Sequence, residues 1–204
     1  MTQQRPLRER HRQRAKEKII DAAFALFAER GFADVTVTEI TDQAEVGRTT
    51  FFRYFGDKQE VLFADEQPLL DQLAHAEAPL LQPPTFQQAM AQTRTVVRDI
   101  CDQVTADPER YRLHERLVGD NPELHDRSER KLLRLTEAMT DALRNQGVPE
   151  YEAVLAPHLA LACYRTGKHM AGTDPTALVG AVDAAFELLE RARGAQWQGD
   201  NPGK

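Results

Sequence analysis

The sequence predicts an all-α fold, and three observations carry that prediction. Apolar residues recur at helical spacing almost from end to end, as in Ile20, Ala23, Phe24 and Phe27, a pattern that lines one side of a 3.6-residue helix. The β-branched run at residues 35–38 is short and has no partner strand. Asp107-Pro108, Asn121-Pro122, Gly147-Val148-Pro149 and Asp174-Pro175 divide the periodic segments where helices would stop and start.

Residues 14–30 form the first expected helix, closed by Gly31 as a left-handed cap. A short second helix follows over 37–44. Thr36 and Glu39 make a capping box at its start, the hydroxyl accepting from the Glu39 amide and the carboxylate reaching back to the Thr36 amide. Residues 45–47 turn the chain into a third helix at 48–55. Asp57 caps a longer helix over 58–76, with Pro68 expected to kink it. Residues 78–84 read as a linker. Helices over 85–106, 108–119, 122–146, 150–171 and 175–193 complete nine, three in an N-terminal unit and six in a bundle.

The informative stretch is 36–58. Two short helices joined by a three-residue turn have the dimensions of a helix-turn-helix, whose second helix enters the DNA major groove. On residues 48–55, Phe51 and Phe55 share a face that can pack inward with Ile40 and Val46 on Phe27. The other faces carry Arg48, Thr49, Thr50, Phe52, Arg53 and Tyr54. Arginine forks onto guanine and threonine meets a thymine methyl, whereas the Thr50 and Tyr54 hydroxyls suit phosphate oxygens. Thr38 and Lys58, each in a first helical turn, are candidates for further phosphate contacts. A solvated amphipathic helix with scattered arginines remains the competing reading of these residues.

At these residues the chain resembles the TetR family of transcriptional regulators. The likeness runs over 22–58, from Ala22-Ala23, Leu26-Phe27 and Gly31-Phe32 through Thr36-Val37, Ile40, Ala44 and Val46 to Thr50-Phe51-Phe52-Arg53-Tyr54-Phe55 and Lys58. The resemblance implies a homodimer, a ligand-responsive C-terminal domain and repression of a nearby promoter. An Asn121-Pro122-Glu123-Leu124 segment with Arg112, Arg116 and Arg127 is similar to actinobacterial members. This chain departs from the family pattern in four places. Glu45 stands where the turn usually has glycine, Gly47 where a serine or threonine caps, Thr41 where alanine is common, and Phe52 where a phosphate-binding tyrosine is frequent.

Charge sharpens the reading. The 204 residues carry a net charge of -6, which by itself argues against a nucleic-acid partner. Residues 1–18, however, hold seven Lys/Arg against two acids, net +5, leaving -11 for the rest. Residues 1–13 are therefore expected to be a flexible basic arm reaching DNA, with the DNA-binding domain over 14–56, a regulatory and dimerisation domain over 57–193, and a disordered tail over 194–204.

Segment 175–193 is apolar over much of its circumference and 150–171 offers apolar and small residues, which predicts a homodimer built through about 150–193 and a palindromic operator in double-stranded DNA, with a single larger core as the competing reading. An unidentified small-molecule effector would sit among Phe86, Met90, Val97, Ile100 and Tyr111, with His114 or Tyr164 as polar handles. The expected function is a DNA-binding regulator, a repressor released by its ligand. A helical protein-interaction module, or an activator without a small-molecule ligand, is the alternative.

Enzymatic chemistry has no motif here: nucleophile elbow, P-loop and His-Glu-x-x-His are all missing. His158 and His169 could share a helix face, but no third ligand completes a metal site. No cofactor is expected. Cys101 and Cys163, 62 positions apart, form no disulfide framework. Without an apolar run of about 18 residues, a cytoplasmic location off the membrane is expected.

Overall fold

The computed structural model describes residues 4–64, 66–74 and 82–194, and those residues form ten helices and no strand. In chain order they are α1 (Gln4–Arg30), α2 (Val37–Gln43), α3 (Arg48–Tyr54), α4 (Lys58–Leu62) and α5 (Glu66–Ala74). Then follow α6 (Phe86–Thr105), α7 (Pro108–Asp120), α8 (Pro122–Asn145), α9 (Glu150–Ala171) and α10 (Pro175–Gly194). The all-α expectation holds, and the helices from α6 onward start and end within two residues of their expected bounds. Two expectations about the helices need correction.

The first concerns the arm. Residues 4–13 continue α1 rather than forming a flexible extension. Arg, Gln, Glu and Lys are good helix formers, Pro6 falls in the first turn where no amide partner is needed, and Gln13 Nε2 donates to Glu17 Oε1 one turn on (3.0 Å). The second concerns the helix expected over 58–76, which is two helices broken at Phe63-Ala64. Pro68 is the third residue of α5. An unbroken helix would set its ring against the carbonyl of residue 64, so the chain turns first and uses the proline where a helix start tolerates it. The tail beyond Gly194 and most of the expected linker lie outside the described residues.

Contacts divide the chain into two units, residues 1–72 with 112–131, and 73–111 with 132–204. The boundary expected at 56/57 falls inside the first of these units. The first unit has one core, in which Phe27, Ile40, Phe51 and Phe55 are joined by Val61, Leu62 and Phe63, and by Leu113, Leu117 and Leu124. Such shared burial, at about 1.5–3 kcal/mol per large side chain, makes α4 and the ends of α7 and α8 part of the same body as the first three helices.

In the second unit α6, α9 and α10 enclose Val97, Cys101, Ala160, Cys163, Leu178, Val182 and Phe186. Burial pushes the Cys101 thiol up to about 12, so this cysteine is a small apolar filler. A smaller cluster of Ala89, Leu143, Val148, Ala153 and Ala156 lies beside α8. No helix among the described residues is long and apolar enough to cross a membrane.

Candidate nucleic-acid interface

The recognition element is built from the inside outward. Phe51 is fully buried and Phe55 nearly so, their rings 5.7 Å apart, and they fix a helix only seven residues long that could not persist alone. The preceding α2 is held by the expected capping box: the Glu39 amide donates to Thr36 Oγ1 (3.3 Å) and the Thr36 amide donates to Glu39 Oε2 (2.8 Å). Arg30 Nη1 donates to the other Glu39 oxygen (2.8 Å). This guanidinium and the Thr36 donors together hold the Glu39 carboxyl down to about 2.

Each family departure finds a local account except the turn residue. Thr41 is buried with its hydroxyl donating to the Thr38 carbonyl (2.8 Å), so the polar atom costs little. Gly47 caps α3 with no side chain, its carbonyl accepting from the Thr50 and Phe51 amides. Glu45 adopts a left-handed backbone at φ 55, where a non-glycine residue costs about 1–2 kcal/mol. Its exposed carboxylate pairs with Lys18 at 3.6 Å, a contact too solvated to offset much of that.

On the outer face, Arg48, Thr49, Phe52 and Arg53 are exposed, as is Thr38 on α2, and Thr50 and Tyr54 are half-buried. Seven of the eight candidate DNA-contact residues are thus at least partly open to solvent. Phe52 is 50% exposed, standing edge-on to Phe51 with ring centroids 5.4 Å apart. Arg53 Nη2 donates to the Tyr54 hydroxyl (3.3 Å), and its guanidinium stacks 4.9 Å from the centre of that ring.

Lys58 is the exception. Its ammonium turns inward and donates to the carbonyls of Phe32 (2.7 Å), Ala33 (3.2 Å) and Val35 (2.9 Å), and lies 4.4 Å from the centre of the Phe32 ring. All three protons are committed to the α1–α2 loop, and partial burial lowers its pKa. The expected phosphate contact is therefore replaced by a structural anchor. Sequence reasoning placed Lys58 in a first helical turn but had no signal for three converging carbonyls 23–26 residues away.

Two further features went unread in the sequence. Arg127, on α8, is ion-paired with Glu60 of α4 and stacks 5.9 Å from the Phe63 ring, and Gln59 donates to Glu123 (3.3 Å). These contacts bind α4 into the first unit. Arg12, in the segment expected to be flexible, lies 6.0 Å from the centre of the Tyr54 ring.

The candidate ligand residues divide among several environments. Val97, Ile100 and Tyr164 line a cavity of about 30 Å³ with Leu132, Leu135, Thr136, Met139 and Leu161, room for a water or two. The α8 stripe at 132, 135 and 139 was legible as helical spacing but not as a wall. Phe86 and Met90 instead line a groove of about 640 Å³ with Arg94, Arg98, Phe186 and Leu189. Tyr111 is core. His114 belongs to the other unit, edge-on to Phe63 at 5.4 Å and 3.2 Å from Glu115. It is not a handle in the cavity, because residues 112–120 of α7 pack with the core of the first unit.

Residues 19–64 match the family described as bacterial regulatory proteins, tetR family. The HTH-type transcriptional regulator HbdR of Aromatoleum sp. is 38% identical over 56 residues, 28% of this chain and 24% of that protein. The chain thus spans about a quarter of the length of that relative. SmeT, the repressor of the multidrug efflux pump SmeDEF of Stenotrophomonas maltophilia, is 23% identical with a TM-score of 0.58 over 87% of this chain and 89% of its own. FadR of Thermus thermophilus, a TetR-family repressor solved with lauroyl-CoA, is 22% identical with a TM-score of 0.51 over 93% and 100%. The two solved structures share the fold.

Proposed function

We propose, from an N-terminal domain that belongs to the tetR family of bacterial regulatory proteins, that the whole chain is a dimeric, sequence-specific DNA-binding repressor released by a small molecule. The observation that carries this reading is the outer face of α3. Arg48, Thr49, Phe52 and Arg53 stand open on a helix whose opposite face is locked by Phe51. Arg48 reads a guanine edge, Thr49 and Phe52 meet methyl or sugar groups, and Thr38, Thr50 and Tyr54 fix register on phosphates.

Two such helices must sit about 34 Å apart to reach successive major grooves. A ligand lowers DNA affinity only by preferring a conformer with another spacing. The cavity wall of Val97, Ile100, Leu132, Leu135, Met139 and Leu161 is apolar, with Tyr164 and Thr136 as its polar points. It suits an apolar molecule or acyl chain that widens it on entry. FadR, solved with lauroyl-CoA, offers an example of such a ligand in a protein of this fold.

Selection of bound sequences from random duplexes at near-physiological salt tests the reading. A palindrome is expected, and no enrichment would remove the regulator. With the selected site in hand, Arg48→Ala is expected to cost about 1–3 kcal/mol at one base position and relax specificity there.

A further inference from the structure

Several arginines of the described chain are ion-paired. Arg30 pairs with Glu39, Arg94 with Asp183, Arg127 with Glu60 and Arg144 with Glu150. Two other guanidiniums converge on one ring: Arg53 lies 4.9 Å and Arg12 6.0 Å from the centre of Tyr54. Neither has a carboxylate partner among the described residues. Like charges brought to one aromatic face in an acidic protein leave an unfilled place for an anion. The Tyr54 hydroxyl, which accepts from Arg53 Nη2, adds a donor of its own there.

Arg12 comes to that place on a helix, not a tail. α1 extends to Gln4, and residues 5, 8 and 12 share one helix face at spacings of three and four. At 1.5 Å per residue they span about 10 Å, a length over which duplex DNA presents roughly six phosphate charges. Arg12 joins this face to the surface at Tyr54, with the charge opposite to that of a phosphate.

We infer that the N-terminal extension of α1 is a second, helical DNA-contact element: Arg12 and Arg53 close over Tyr54 on a backbone phosphate, and residues 8 and 5 continue along the flanking backbone. This rests on the proposed DNA-binding role and adds to it an element outside the helix-turn-helix. The contact is to phosphates, so it adds affinity and salt dependence without adding sequence preference.

The test uses the full chain on two duplexes, one carrying the selected palindrome with a further helical turn of flank on each side, the other with those flanks removed. Two variants are compared with the wild type. R5Q/R8Q/R12Q removes the charges. Gln13→Pro keeps every arginine but breaks the helix ahead of residue 14. Thermal unfolding and far-UV circular dichroism check that the core of each is intact. On the flanked duplex the charge variant is expected to flatten the slope of log K against log salt by about 0.9 per lost contact, about 2.7 per half-site. Gln13→Pro is expected to do nearly the same, and both differences are expected to shrink on the trimmed duplex. An unchanged slope in the charge variant overturns the arm while leaving the regulator standing. A normal slope with Gln13→Pro overturns its helical character. Wild-type protein that binds no duplex overturns both readings.

Discussion

Lys58 gives up the role its position suggests in order to close the α1–α2 loop. Its three bonds to Phe32, Ala33 and Val35 carbonyls tie α4 to the segment that leads into the recognition motif. Lys58→Met keeps the stem and removes the donors, leaving three acceptors without their charged partner. The expected loss is about 1–3 kcal/mol of unfolding free energy, read by urea denaturation, with no change in the salt slope of DNA binding. A slope that falls by about 0.9 at unchanged stability would instead make Lys58 a phosphate contact. Glu39 makes a prediction in pH. Its carboxyl is held at about 2 in the folded protein, below the usual value of about 4.3. The stability it contributes is present above that usual value and lost as pH falls toward 2. Glu39→Gln is expected to flatten the stability profile between those limits, and acid titrations of the two proteins that run parallel would refute it.

Among the elements, α9 and α10 meet most closely. A Cβ added at Gly167 would lie 2.5 Å from Val182 Cγ2 and 2.6 Å from both the Cα and N of Val182. Rotamer changes cannot relieve a clash with backbone, so Gly167→Ala must push the two helices apart. We expect a loss of about 1–3 kcal/mol, seen as a lower melting temperature, with Gly119→Ala on open space as the control that should leave packing unchanged. Nothing in the sequence marked Gly167 as a crossing point, because spacing gives a residue its face but not the backbone opposite. The same limit explains the other misreadings. The Thr36–Glu39 box and the buried pair Phe51 and Phe55 were legible because they depend on neighbours within four residues. Lys58 and His114 were misplaced because their partners are distant in the chain. The break before α5 was half legible: Pro68 announced a disturbance, but whether helix kinks or ends depends on tertiary support.

For the whole molecule, the decisive quantity is how much affinity one recognition surface can supply. Residues 19–60 hold four cations against eight acids, net -4, and Lys58 is withdrawn from among those four. A single half-site contact is therefore electrostatically poor, and doubling it through a two-fold axis would raise affinity most. The exposed apolar residues fit such an axis: Tyr151, Leu155 and Met170 on α9 are 91%, 48% and 73% exposed, and Leu188 on α10 is 61% exposed. Exposed Ala162 on α9 and Gly180 and Ala184 on α10 would let a second copy approach closely. Tyr151, Leu155, His158 and Ala162 follow one another at three- and four-residue steps, as do Gly180, Ala184 and Leu188, so each set forms a stripe. We expect a Leu155→Glu, Leu188→Glu double variant to sediment as a monomer where the wild type sediments as a dimer, at unchanged helix content. Its affinity for a palindromic duplex should fall by about 100-fold or more, since the second half-site is then no longer held at high effective concentration. A variant that remains dimeric would place the interface elsewhere. A monomer that binds the palindrome as tightly as the wild type would mean that one recognition helix and its basic extension are sufficient alone.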